Sequence, residues 1–240
     1  MTAVILSQHL LFAIKANQSF DHLVKKLSEN PGSTLTAELA DKNSRMALWL
    51  NLYNAFVQIL IGQQYPDFSN WRKRIHFFDR KSINVSGNLL SLNDVEHGML
   101  RNSSVWRSLG YFHKLSISTL EKKLRLPLDF RIHFALYCGA ASCPVIFSYV
   151  PIKIAEQLDK AKWSYLDQEV TLNFEQTAAS IPSLFNWYCG DFGGCAGITN
   201  LLIHHFHLPQ GQLWSIVFKP YNWSVLTGNF SPESKEHKQR

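Results

Sequence analysis

The stretch MALWLNLYNAFVQILIG, residues 46–62, decides what kind of fold this chain adopts. Its apolar run approaches the length of a membrane span, but Asn51, Asn54 and Gln58 stand in its middle. Amides are costly in an apolar setting unless they are hydrogen-bonded. The stretch therefore reads as a helix in a protein core. It is expected to start near Thr36, which can cap it ahead of Glu38, and to run to about Gly62. Asn51 and Asn54 then act structurally by tying neighbouring loops to that helix.

The rest of the chain agrees with a globular reading. It has 240 residues, 46% of them hydrophobic and 18% charged, with 16 Phe, 8 Tyr and 7 Trp to fill a core. That composition excludes disorder over most of the length, and no repeat or linker divides the chain. The net charge of +6 is scattered in short groups such as RKR at 72–74, without a nucleic-acid recognition motif, so a solvated surface is expected rather than a specific nucleic-acid partner. The first 20 residues lack a basic leader region and read as an amphipathic helix, which makes the cytoplasm the default compartment.

Outward from the spine, residues 3–30 read as one or two helices. KSINVS and LLSL flank Gly87-Asn88 as a hairpin with a two-residue turn. Ser91 with Asp94 three positions later starts a helix to about Asn102, and another is expected over 116–126, closed by Pro127. RIHFALYC, residues 131–138, reads as a central strand ending at Gly139. Pro151 opens a helix through Gln168, EVTLNF is a strand, and helices follow around SLFNWYCGDF and CAGITNLLIHHFH before the strand-like WSIVFKPYNWSVL. The sum is an α+β single domain, helix-rich with a small mainly antiparallel sheet. Residues 1–35 form a helical segment packed on the core, 36–230 the domain proper and 231–240 a disordered tail.

Chemistry concentrates in RIHFALYCGAASCPV, residues 131–145. Four cysteines in a reducing compartment are more often free, catalytic or metal-bound than structurally paired. On a regular strand His133 and Cys138 point to opposite faces, so Cys143, beyond the flexible Gly139–Ser142 turn, is the better nucleophile candidate. The turn's backbone N–H groups can stabilise an anion. Structural burial of both cysteines is the plainer alternative, and the spacing of Cys138, Cys143, Cys189 and Cys195 lacks the close pairs of structural zinc. No metal or cofactor is expected. On the helix after the hairpin, Glu96, His97 and Arg101 suit proton transfer and anion binding, although a solvated polar face would look the same. HHFH at 204–207 reads as capping of a helix end, and Asp191, beside glycines, as turn chemistry.

Five ordered motifs, MALWLNLYNAF, LSLNDVEHGMLR, DFRIHFALYCGAASCP, SLFNWYCGDFGG and VFKPYNWSVL, carry a resemblance. From about Arg45 to Leu226 the chain resembles the domain-of-unknown-function family numbered 547, found in bacteria and, joined to leucine-zipper segments, in plants. The resemblance places Asn51, Tyr53, Asn54, Glu96, His97, Leu100, Arg101, Arg131, His133, Cys138, Gly139, Ser142, Cys143 and Pro144 on the family's motif positions. It points to a site built from the helix of Glu96–Arg101 and the segment Arg131–Cys143. Two departures stand out: Asp129-Phe130-Arg131 where the family has Asp-Pro-Arg, and Tyr221-Asn222-Trp223 where it has Tyr-Asp-Trp. Cys189 and Cys195 lie outside the motif cores.

The function these residues suggest is a cysteine-dependent hydrolase or acyl-transferase acting on an amide or thioester in a small molecule or peptide. Cys143 would be the nucleophile, His133 or His97 the base and Glu96 its orienter. Arg101 or Arg131 would bind an anion, and Gly139–Ser142 would donate to an oxyanion. The alternative is a non-enzymatic protein-interaction domain in which the same residues fix the fold.

Overall fold

The computed structural model describes residues 1–106, 108–211 and 214–232. Its order is α1 (Ala3–Lys15), α2 (Asp21–Glu29), α3 (Gly32–Glu38), α4 (Lys42–Gln64), α5 (Trp71–Asp79), β1 (Ile83–Val85) and β2 (Asn88–Leu90), then a π-helical segment Asp94–Leu100 and α6 (Thr119–Leu124). A 3-10 turn, Phe130–Phe134, precedes α7 (Ile154–Glu169), β3 (Thr171–Asn173), β4 (Ala178–Pro182), α8 (Leu184–Trp187), α9 (Gly194–Phe206) and β5 (Ser215–Lys219). The architecture is α+β: the hairpin β1–β2 is antiparallel, and in the sheet β3-β4-β5 the first pair is antiparallel and the second parallel.

The spine is α4, and every residue from Met46 to Ile61 is buried. A helix apolar all round is stable in water only when other elements enclose it. Leu6, Leu10 and Leu11 of α1 and Val95, Met99 and Leu100 of the π-helical segment belong to the same core cluster. Among the described residues no helix is long and apolar enough to cross a membrane.

The spine does not begin at Thr36. That residue lies inside α3 with its hydroxyl on the Gly32 carbonyl (2.9 Å), while Asp41 caps α4 by accepting from the amides of Asn43 (3.0 Å) and Ser44 (2.9 Å). A carboxylate binding two of the orphan first-turn amides is the stronger start.

The amides inside α4 organise the irregular half of the molecule. Asn51 bonds both the N–H (2.8 Å) and the carbonyl (2.9 Å) of Tyr149. Asn54 donates to Ala135 O (3.0 Å) and accepts from Tyr137 N (2.8 Å), and Gln58 accepts from Gly228 N (2.9 Å). Spaced three and four apart, they lie along one helix face, and each supplies partners to loop backbone that no strand satisfies. Removing one leaves buried backbone groups unpaired, so Asn54→Ala is expected to cost about 2 kcal/mol in urea denaturation without changing the slope.

This pairing also corrects the strand expected at residues 131–138. Asp129 accepts from Arg131 N (3.1 Å) and starts the 3-10 turn, and beyond it the Tyr137 amide goes to Asn54 instead of a neighbouring strand. The hairpin forms as expected but its turn is Ser86-Gly87, both with positive φ (51° and 75°), one residue earlier than Gly87-Asn88. The tail was expected to be disordered from residue 231, yet Ser231 is buried and donates to Ile146 O (2.9 Å); residues 233–240 lie outside the described residues.

A second cluster, including Phe134, Tyr165, Ile181, Phe185 and Phe192, joins α7, β4, α8 and α9. The 3-10 turn spans the seam, since Ile132 belongs to the α4 core and Phe134 to the second. His133 sits between them.

Candidate functional site

The π-helical segment supplies the first wall. Ser91 and Asp94 cap its start reciprocally, Ser91 N donating to Asp94 (2.7 Å) and Asp94 N to Ser91 Oγ (3.0 Å). Arg101 N then bonds Glu96 O (2.9 Å) and Ser103 N bonds Gly98 O (3.0 Å), each five residues back. In this wider coil residues five apart come one turn apart, so Glu96, His97 and Arg101 share a face.

That face is buried rather than solvated. Arg101, 1% exposed as a residue, forks its guanidinium onto Asp191 through Nε (2.6 Å) and Nη2 (3.0 Å) and meets His97 Nδ1 through Nη1 (2.8 Å). Asp191 also accepts from His133 Nε2 (2.7 Å). Glu96 accepts from Tyr53 (3.1 Å) and Tyr188 (2.7 Å). The Tyr188 ring stacks on His133 (centroids 4.1 Å apart) and also carries the Arg101 guanidinium over its face (4.7 Å). Asp191, read from sequence as turn chemistry, is the hub of this network. Its position depends on Gly110: at φ +92°, a Cβ there would lie 2.1 Å from Asp191 Oδ1.

The charge states follow from this packing. Burial pushes Asp191 up, but bonds from His133 and Arg101 outweigh it and hold the carboxyl near 2. Burial also raises Glu96, and the charges of His97 and Arg101 with the Tyr188 bond bring it below its ordinary value. Burial depresses His97 to about 4 and lowers His133 as well, against the pull of Glu96 and Asp191 respectively. Both imidazoles are therefore neutral at pH 7. Arg101 has no acceptor, so His97 Nδ1 accepts and Nε2 carries the proton; His133 Nε2 donates to the Asp191 carboxylate and leaves Nδ1 as its basic atom.

The second wall is the thiol turn. Gly139, at φ +89°, packs so closely on α4 that a Cβ would meet Ile61 Cδ1 at 2.3 Å. The chain reverses through Cys143 N to Ala140 O (3.0 Å), and the sulfurs of Cys138 and Cys143 come 2.6 Å apart, both free thiols. Cys143 Sγ accepts from Cys138 N (3.1 Å) and Ala140 N (3.4 Å), and Tyr221 OH touches both sulfurs (3.2 and 3.4 Å). Burial raises the Cys143 thiol, but bonds from Cys138, Tyr221 and the two amides bring the net shift downward. Cys138, bonded to Cys143 and buried beside its charge, is pushed well up.

The amides of Ala141 and Ser142 are already used: Ala141 N goes to Ser224 O (2.9 Å), Ser142 N to Asn222 O (3.3 Å), and Ser142 Oγ accepts from Asn222 N (2.9 Å). The Tyr221-Asn222-Trp223 departure thus pins the turn through its backbone.

A cleft of about 400 Å³ lies between these walls. Glu96, His97, His133 and Cys138 line it, so His133 and Cys138 share one cavity, contrary to the opposite-face expectation; the alternation argument required a strand that is absent. Trp106, Trp187, Tyr221 and Trp223 give it aromatic sides. Cys143 is buried and is not part of the lining. Arg101 spends its donors inside the wall, and Arg131 lies outside the cleft, paired with Asp129 (2.6 Å) and Asp159 (3.1 Å). Among the described residues no three His, Cys, Asp or Glu side chains converge to hold a metal ion.

An α+β core with a buried Glu-His-Arg-Asp network facing a dithiol turn defines the class of molecule. Residues 37–166, more than half of the chain, match the model of the family described as "Protein of unknown function, DUF547", and the chain belongs to that family. No curated protein and no solved structure matches it. Tyr188, Asp191 and Tyr221 lie beyond the matched residues. Asp191 offered no local signal, because its partners stand 58 and 90 positions away.

Proposed function

We propose that the protein is a cysteine-dependent acyl-transfer enzyme, a hydrolase or acyl-transferase that takes an amide or thioester into the aromatic cleft. The observation that carries this reading is that Cys138, His97 and His133 line one cavity. Attack falls to Cys138 rather than Cys143 in this reading, since Cys138 lines the cleft and Cys143 does not. His133, oriented by Asp191, offers Nδ1 to accept the thiol proton and return it to the leaving group. The neutral His97 offers Nε2–H to the developing oxyanion, since the amides of Ala140, Ala141 and Ser142 hold Cys143 or the segment 222–224. The aromatic sides favour substrates with a flat or apolar acyl group.

The test uses p-nitrophenyl acetate with intact and peptide mass spectrometry. An acetyl group on Cys138, formed with a burst of nitrophenolate, is expected in the native protein; Cys138→Ser should lose both, and His133→Gln should slow the burst at unchanged fold. A native protein that acquires no acetyl group on either sulfur sinks the reading.

A non-enzymatic interaction domain is favoured by one observation, that the Arg101 side-chain bonds are all internal and, with the His133 bond to Asp191, join three chain segments. It predicts an unmodified native protein in the same assay. Glu96→Gln does not discriminate, because Glu96 accepts from two buried tyrosines and its loss lowers stability in both cases.

A further inference from the structure

The thiol turn is built in a way that acyl transfer does not require. A single nucleophile needs no second sulfur in contact with it, yet the β-turn Ala140–Cys143 folds Cys143 back until its sulfur lies 2.6 Å from that of Cys138. The two amides of Cys138 and Ala140 and the Tyr221 hydroxyl surround Cys143 and can carry the negative charge of one thiolate shared by the pair. Cys138 lines the cleft, whereas Cys143 is buried and lies outside its lining. That is the geometry of an attacking and a resolving thiol.

We propose that Cys138 and Cys143 form a redox-active dithiol that reduces a small disulfide admitted to the aromatic cleft. With one proton on the pair and the charge on Cys143, the Cys138 proton passes to Cys143 Sγ, 2.6 Å away, as Cys138 Sγ attacks one sulfur of the substrate disulfide; a Cys138–substrate bond forms, the substrate S–S bond breaks, and the first thiolate departs. Cys143 then attacks Cys138 Sγ, closing the intramolecular disulfide and expelling the second substrate sulfur, which leaves with the Cys143 proton as a thiol. Two electrons pass from the protein to the substrate, so the products are one protein disulfide, one thiolate and one thiol. Tyr221, whose hydroxyl touches both sulfurs, packs with two other rings that line the cleft, Trp187 (centroids 5.0 Å apart) and Trp223 (4.8 Å), and together they form a surface for the substrate's organic groups. The cleft volume of about 400 Å³ suits a small disulfide.

The proposal stands apart from acyl transfer, since a Cys143→Ser protein retains the Cys138 nucleophile but has no resolving thiol. The experiment exposes the full-length native protein to oxidised glutathione, quenches in acid, alkylates the remaining thiols and reads each cysteine by mass spectrometry. The native protein is expected to pass through a single glutathione adduct on Cys138 and to end as a Cys138–Cys143 disulfide. Cys143→Ser should stop at the Cys138 adduct, and Cys138→Ser should react at Cys143 at least tenfold more slowly. The proposal is overturned if the native protein keeps a stable adduct without closing, if the adduct forms first on Cys143, or if neither thiol reacts until the protein is unfolded. The native protein alone decides the matter should either variant fail to fold, and nitrophenyl acetate turnover by Cys143→Ser reports separately on acyl transfer.

Discussion

Arg101→Met is expected to lower the unfolding free energy by about 3–5 kcal/mol, measured from the denaturant midpoint at pH 7. Arg101 is 1% exposed and its guanidinium makes three charge-assisted bonds, two to Asp191 and one to His97. Methionine roughly preserves the volume but strands the Asp191 carboxylate in the wall with His133 as its remaining side-chain partner. The cost arises mainly from that uncompensated buried charge, and the rest from the unpaired His97 Nδ1. Lysine should recover little, because one ammonium cannot reproduce a fork that spans a carboxylate and a ring nitrogen. Asp191→Asn in the Arg101→Met background is expected to restore part of the loss by removing the stranded charge. Independent, additive effects of the two substitutions would show that they do not share this network.

The same residues show what sequence can and cannot reveal. The spine helix was legible because an apolar run interrupted by amides has only one comfortable setting, a core that satisfies them. Its start was misplaced by a few residues, since Thr36 and Asp41 are both capping residues and only the path of α3 selects between them. RIHFALYC has strand propensity along its length, yet the bonds that shape it come from Asn54, more than 80 residues away, and propensity carries no information about such partners. Glu96, His97 and Arg101 were legible as a cluster of types but not as a buried one, because burial depends on a π-helical coil and on Asp191. Local patterns identified the two walls, whereas the partners that fix their protonation and orientation were set by tertiary contact.

Acidification should unfold the protein in two successive windows, the first from histidine and the second from carboxylates. His97 has an ordinary value of 6.5 and is held at about 4 in the fold by burial, with Glu96 opposing and Arg101, Lys114 and His133 reinforcing the decrease. The unfolded chain therefore binds this proton more readily than the folded one between those values, and stability falls as the pH drops. One proton per pH unit corresponds to about 1.4 kcal/mol, so the His97 window contributes about 3 kcal/mol of destabilisation by pH 4. His133, lowered by burial against Asp191, adds in the same direction. Below pH 4 the depressed carboxylates take over: Asp191, held at about 2, and Glu96 contribute stability that is present above their unfolded values and is lost as each is protonated. Urea midpoints taken from pH 7 to pH 3 should fall steadily from near pH 6.5, before any ordinary carboxylate titrates. His97→Gln removes one titrating imidazole while leaving an amide oxygen able to accept from Arg101, so its stability should decline less steeply between pH 6.5 and 4 and follow the parent's slope below that. Equal slopes in the upper window would mean that His97 is protonated as easily in the fold as outside it, which a buried ring bonded to a guanidinium does not allow.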